Sequence, residues 1–436
     1  MVTEITGESS LTKVEQALVD HVTRGELLDL AAEPAAVGQV TEATMRSWGS
    51  SRTVRAAVLR DILRGRLAPD PDPHGLRLRG ARIAGRLDLE KLTTGIGMEL
   101  TDCLLGEGLD VRDATLPALA LNGCRLDHPS QPPLDANRLS VTVLDLSRAV
   151  ITADCKAGAV RLRGAHLSRL YCIDTTIRND AGAALNAGGL QVDQDVYLRG
   201  GFEAIGAGSG VTLDLSHVRI GGVLEFAPAR LEHTADPQAR LALDGLTYTG
   251  LPARISSHDW LRLLREATPS YAAQPYQQLA AAHRAAGHDG EVRKVLMAQR
   301  QAQIDRSALT GRGERAWARL TGVTLGYGYQ PWRALLGLVA VAMTAVILAL
   351  TLGAHGGVAR TDPESPAATR CSAVERVGVG LDLSVPLSKI GARDHCDTTA
   401  SATGQVLSVA GWGLQLLAGA FATLFVAGFT SAVRKT

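Results

Sequence analysis

From Leu109 to Leu126 the apolar residues advance in steps of five: Leu109, Ala114, Leu119 and Cys124. A second series, Val111, Leu116, Leu121 and Leu126, runs two positions behind the first. Val160, Ala165 and Leu170 repeat the pattern with Leu162, Leu167, Cys172 and Ile177, as do Ala81 with Ile83 and Val218 with Ile220. A five-residue step fits neither the 3.6 of a helix nor the 2 of a simple strand. It predicts a chain that turns a corner after each short face and sends two side chains inward, as in a parallel β-solenoid. The expected fold class is therefore mainly β, a right-handed parallel solenoid flanked by helices. At about 20 residues per coil, eight or nine coils fit between Gly75 and Ile255, making a rod about 40 Å long.

Two stretches break the stepping. Asp127 to Ser140, with Pro129, Pro132 and Pro133, reads as a loop ejected at a corner, and Gly200 to Gly210 as a second excursion. Asp88, Asp145 and Asp214 each stand in Leu-Asp-Leu, with Arg79, Arg148, Arg163 and Arg219 nearby; stacking predicts solvated ladders of opposite charge. His166 and His217, each flanked by inward residues, read as equivalent outward surface positions.

The flanks are helical. Leu11, Val14, Leu18 and Val22 mark one amphipathic face, and Val54, Val58 and Ile62 another. Arg52, Arg55, Arg60, Arg64 and Arg66 crowd the second, chiefly as a solvated face. Residues 1–72 thus form a helical cap over an end coil, closed by the stiff run Pro69 to Pro73. The solenoid occupies 73–255. In 256–332 a helical hairpin carries the stripe Tyr276, Leu279, Ala280 and His283, with Gly287 as a stop and Asp289 as a cap, and packs against the solenoid end.

Two segments lack any charge, Ala334–Gly353 over 20 residues and Val406–Phe429 over 24. Each matches a hydrocarbon core of about 30 Å as a helix, giving transmembrane segments at 333–353 and 406–430, a loop at 354–405 and a tail at 431–436. Tyr327, Tyr329, Trp332 and Arg333 form the expected interfacial belt. Arg312, Arg315, Arg319 and Arg333 precede the first segment, Arg434 and Lys435 close the chain, and only Arg360, Arg370 and Arg393 lie near the spans in the loop. The positive-inside rule then puts both termini in the cytoplasm and 354–405 outside a plasma membrane. Cys371 and Cys396 are the loop's cysteine pair, read as a disulfide worth about 3 kcal/mol; the other four cysteines fall in the solenoid as small buried hydrophobes.

Charge is balanced, 45 basic against 44 acidic residues, so no global field favours nucleic acid. Catalytic signatures fail on spacing or context. Gly311-Arg-Gly313-Glu-Arg-Ala316 follows a helix and not a strand, so it is no dinucleotide loop, and no Cys-x-x-Cys, Gly-x-Ser-x-Gly or His-Glu-x-x-His occurs. No cofactor and no metal is expected, and catalytic residues stay unknown.

The five-residue stepping resembles the pentapeptide-repeat class of solenoids. Arg-x-x-Val-Leu-Arg at 55–60, Leu-Arg-Gly-Ala-Arg-Ile at 78–83, Tyr-x-x-Leu-Ala with Ala-Gly-His-Asp over 276–289 and Gly-Tyr-Gly-Tyr-x-Pro-Trp at 326–332 extend the likeness. With the two terminal spans, the whole resembles a group of uncharacterised bacterial membrane proteins often labelled membrane-associated oxidoreductases. The resemblance implies an oxidoreductase class and carries over no catalytic residue. The residues themselves point first to a membrane-tethered scaffold whose partners are the lipid bilayer and a protein or its own copies. The oxidoreductase, with Cys371 and Cys396 as an external redox element, is the alternative. An oligomeric sensor or channel-like protein comes third, since Gly337, Ala340, Ala345, Gly411, Ala418 and Ala422 suit close helix packing.

Overall fold

The computed structural model describes residues 10–31, 40–306, 313, 332–361, 371–384 and 391–435, with side chains up to 427. These fall into two compact units, Met1–Gln299 and Arg300–Thr436.

The first unit is a parallel β-solenoid of about eight turns. Each coil visits three sheets in turn: Met98–Thr101 lies in the first, Leu104–Leu105 in the second, Leu109–Asp110 in the third, and Thr115–Asn122 returns to the first. Inward side chains stack in register, so Leu78, Leu100 and Leu121 follow one another down one wall, all buried. The coil is longer than the stepping predicts, and it grows along the chain. An early coil closes from Leu100 to Leu121, whereas a late one needs the longer path from Leu213 to Leu241. A parallel ladder asks only that each strand meet its predecessor, so corners lengthen without disturbing it. The five-residue step survives where one face runs straight into the next, as at Leu119, Leu121, Cys124 and Leu126, all buried.

Leu-Asp-Leu at Asp88 and Asp214 marks the corner after the third sheet, whereas Asp145 ends a first-sheet strand and so cannot share a ladder with them. Asp88, Asp110, Asp135 and Asp214 each accept the backbone N–H two residues on, from Glu90, Arg112, Asn137 and Ser216. The residue three on is left-handed: Lys91, Asp113, Arg138 and His217, and likewise Gly164, Gly189 and Gly245 in the other coils. His217 therefore belongs to the corner, while His166 is in register with Gln191 and Arg219; the two histidines are outward but not equivalent.

Each of the two excursions contains a strand of the solenoid wall. Leu134–Asp135 joins the third sheet, which leaves 129–133 and the corner 136–139 between strands, and Glu203–Ile205 pairs with Thr176–Arg178 in the second sheet. In each case the inward pair, Leu134 with Ala136 and Ala204 with Gly206, holds the chain in the wall.

At the N-terminal end, α1 (Lys13–Arg24) and α2 (Glu42–Ser47) flank the first coil. Leu28–Asp29 adds a strand to the first sheet and Thr53–Arg55 one to the second. Val54 is thus in a strand, not in the second helix: its β-branched side chain continues the Ile83 column inward. α3 (Ala56–Leu63) then packs beside Leu87–Asp88, where a third strand would otherwise go. The arginines here are engaged: Arg55 with Glu15, Arg60 with Asp88, Arg66 with Asp61, and Arg52 over the Trp48 ring.

At the C-terminal end, α4 (Ser257–Glu266) and α5 (Gln274–Ala285) cover the last coil, followed by α6 (Asp289–Asp305). Gln274 accepts from the Gly245 N–H and donates to the Leu246 carbonyl, and Gln278 donates to the Tyr248 carbonyl. Two side-chain amides thereby serve the open edge as backbone would, which protects it from pairing with another chain.

The second unit contains α7 (Trp332–Leu352), α8 (Ala373–Ser384) and α9 (Ala402–Lys435). α7 and α9 are long and apolar enough to cross a membrane. They run antiparallel: Gly337 lies against the Phe421 ring and Gly357 near Thr403. Only 17% and 11% of their most apolar stretches are buried, so their large apolar side chains face outward, unlike those of a soluble core helix. Trp332 and Arg333 begin α7 exposed, whereas Tyr327 and Tyr329 lie outside the described residues, as do Arg312, Arg315, Arg319 and Arg370. Four of the six small residues are occupied within the chain, since Ala345 and Ala418 are buried, Gly337 meets Phe421 and Gly411 meets Leu383, while Ala340 is exposed. That removes much of their support for an oligomer. Val358–Arg360 pairs antiparallel with Cys396–Thr398, and Cys371 is bonded to Cys396.

Candidate functional site

The first sheet bends within its longest strands, Thr115–Asn122, Ser140–Asp145 and His166–Ile173. On the outer side of the bend Thr115, Ser140 and His166 stand in register on successive coils. Pro117, Thr142 and Ser168 follow two residues on in the same strands and line the same shallow groove of about 430 Å³. Inward Leu116, Val141 and Leu167, all buried, hold the columns in place, so the hydroxyl groups repeat at the coil spacing of about 4.8 Å.

The floor ends at a polar cluster. His166 Nε2 lies 2.9 Å from Asp193 Oδ1, and Ser168 Oγ donates to Asp193 Oδ2 at 3.4 Å. Asp193 stands directly after Val192, whose register with Leu167 fixes it beside His166. The order is histidine, carboxylate, serine. A nucleophilic serine needs the histidine at its own oxygen, so this cluster supplies donors and acceptors and not an activated hydroxyl. His166 and Asp193 are 56% and 57% exposed, which keeps their attraction weak and leaves both open to a ligand.

A serine and a histidine do meet on the C-terminal cap, where Ser257 Oγ lies 2.8 Å from His283 Nε2. His283 is buried, burial lowers its affinity for a proton, and its Nδ1 faces no acceptor. Without a group to orient the ring, the pair ties α4 to α5. The sequence stripe puts His283 on the core side but gives no sign of this bond, which joins residues 26 positions apart.

The carboxylate ladder of the third sheet is structural too. Asp88, Asp110 and Asp135 stack in register, the last two buried. Arg112 bonds Asp110 and Glu90, and Arg161 bonds Asp135 at 3.0 Å. Burial pushes the Asp135 carboxyl up despite Arg161. Cys103, Cys124, Cys155 and Cys172 are all buried; desolvation raises the thiols of Cys124 and Cys172 far above a reactive range.

In the second unit Cys371, Glu375 and Cys396 cluster within 4.8 Å. Arg360 pairs with Glu375 and Arg393 with Asp397, the charged rim of the segment between α7 and α9. No family model matches this chain, no curated protein matches it, and no solved structure matches it.

Proposed function

We propose that this chain is a membrane-anchored binding scaffold. α7 and α9 cross the bilayer, both termini are cytoplasmic, and the solenoid offers its grooved face to a protein partner or to a second copy. The groove carries this reading: hydroxyl columns from three coils end at an accessible His166–Asp193 pair on a surface stiffened by ladders. Filling it with Thr142→Trp, an outward substitution, is expected to leave thermal stability almost unchanged. Proximity labelling from the solenoid in cells should then lose a discrete set of neighbours. Identical neighbour lists for variant and parent would refute the groove as the binding face.

The oxidoreductase class implied by resemblance has one foothold, the Cys371–Cys396 pair beside Glu375. Cycling would take two electrons and two protons from an external donor into the bond and return them as two thiols oxidise. The double variant Cys371→Ser/Cys396→Ser separates the readings. It should lower the second unit's stability by about 3 kcal/mol under either. Only under the redox reading does it also abolish a redox-linked phenotype while labelling at the groove persists.

A further inference from the structure

We infer that α8 is a re-entrant helix, which dips into the outer part of the bilayer and lays an apolar face against lipid acyl chains. This rests on the reading that α7 and α9 span the membrane. The charge-free run Ala334–Gly353 has 20 residues, about 30 Å of helix, so the hydrocarbon boundary falls near Gly353. α8 starts at that level: Gly353 lies against the Arg376 side chain, whose Nη1 donates to the Leu350 carbonyl at 3.4 Å. It then descends. A Cβ on Gly380 would strike the Val346 Cα and the Ala345 carbonyl, six and seven residues inside the Leu352 end of α7. At 1.5 Å per residue that is about 10 Å below the boundary. On the other wall Leu383 reaches Gly411, nine residues into α9.

The side chains follow the same division. Val379, Gly380, Leu383 and Ser384 are buried against the two long helices. Val374, Val377 and Leu381, at i, i+3 and i+7, share the opposite face, with Val374 81% exposed and the other two half-buried. Met343 and Ile347 on α7 are likewise more than half exposed. The Arg360–Glu375 pair stays at the rim, while Arg393, whose N–H reaches Asp382, turns an exposed side chain to Asp397. The one carboxylate carried down, Asp382, accepts the backbone N–H of Ala392 at 2.9 Å and of Arg393 at 3.4 Å, so it is not left bare. Gln415 of α9 donates to the Asp382 carbonyl at the helix end, a backbone group that lipid cannot satisfy.

The test places single nitroxide labels at Val374→Cys, Val377→Cys, Leu381→Cys and Met343→Cys in the full chain, reconstituted in phospholipid vesicles. The solenoid thiols are buried and do not compete. Collision with oxygen reports lipid, and collision with a water-soluble nickel chelate reports the aqueous phase. The oxygen-to-nickel ratio should rise several-fold from Val374 through Val377 to Leu381, towards the value at Met343. Nickel reaching Leu381 as readily as Val374, with Met343 still protected, overturns re-entry alone. Neither reagent reaching Val377 or Leu381 overturns the lipid contact. Nickel reaching Met343 overturns the spanning reading itself.

Discussion

Trp260→Ala is expected to destabilise the solenoid unit by about 3–5 kcal/mol, the range for truncating a large buried aromatic. Trp260 is 1% exposed and stands edge-on to Phe226 at 5.3 Å and to Tyr248 at 6.3 Å. Every inner coil has its side chains covered by the next one. The last coil has none, and this ring supplies the missing layer from α4. The hole it leaves cannot close, because Phe226 is held by the ladder from Leu198 and Tyr248 is paired with Ile220. The indole Nε1 approaches the Tyr248 hydroxyl without good hydrogen-bond geometry, so the loss is chiefly one of packing. Urea unfolding followed by the β-sheet circular dichroism signal checks this, with Trp260→Phe as the milder companion. A loss below about 1 kcal/mol would show that the cap does not cover the coil.

Arg55→Ala should cost a similar amount, about 3–5 kcal/mol near neutral pH, by leaving a buried carboxylate without its cation. The Glu15 side chain is fully buried, and Arg55 grips it through Nε at 2.8 Å and Nη2 at 2.6 Å. Those bonds, with the N–H groups of Thr12 and Arg55, hold the Glu15 carboxyl down from 4.5 to about 2. A carboxyl lowered in the folded state stabilises it above the unfolded value of 4.5, and that stabilisation is lost as pH falls through about 2. The contribution is about 2–3 kcal/mol once screening is allowed for, since Arg55 is 36% exposed. In the variant the same carboxyl, still desolvated, is relieved by protonation. Parent and variant should therefore differ most above pH 4.5 and converge as pH approaches 2. A constant gap across that window would mean that Glu15 is not the titrating group.

Several features are legible residue by residue. Leu119, Leu121, Cys124 and Leu126 face inward as the stepping predicts, because burial selects side-chain identity directly. The repeated Leu-Asp-Leu is equally visible and suggests a charge ladder. Its carboxylates chiefly accept a backbone N–H at the corner, and only the coil's path shows that. The left-handed residue three positions on is glycine in some coils but Lys91, Asp113, Arg138 or His217 in others, so no composition rule points to it. For the same reason His217 aligns with His166 along the chain but not in space. The groove is hidden because Thr115, Ser140 and His166 come from three separate coils, and their neighbourhood depends on a register that the irregular coil length conceals. α8 is hidden because Glu375, Arg376 and Asp382 leave it no charge-free run long enough to read as a membrane segment.

Which side chains point inward, that the chain winds, and where two long apolar helices lie all follow from the order of residues alone. Those are one-residue preferences for water or for its absence, written along the chain. Which coil meets which, that strands reach Thr53–Arg55 and Leu134–Asp135, and which groups share the groove emerge only once the chain is folded. Ladder hydrogen bonds are satisfied equally well by the short coil from Leu100 to Leu121 and the long one from Leu213 to Leu241. Register is therefore settled by packing between coils and not by any local signal.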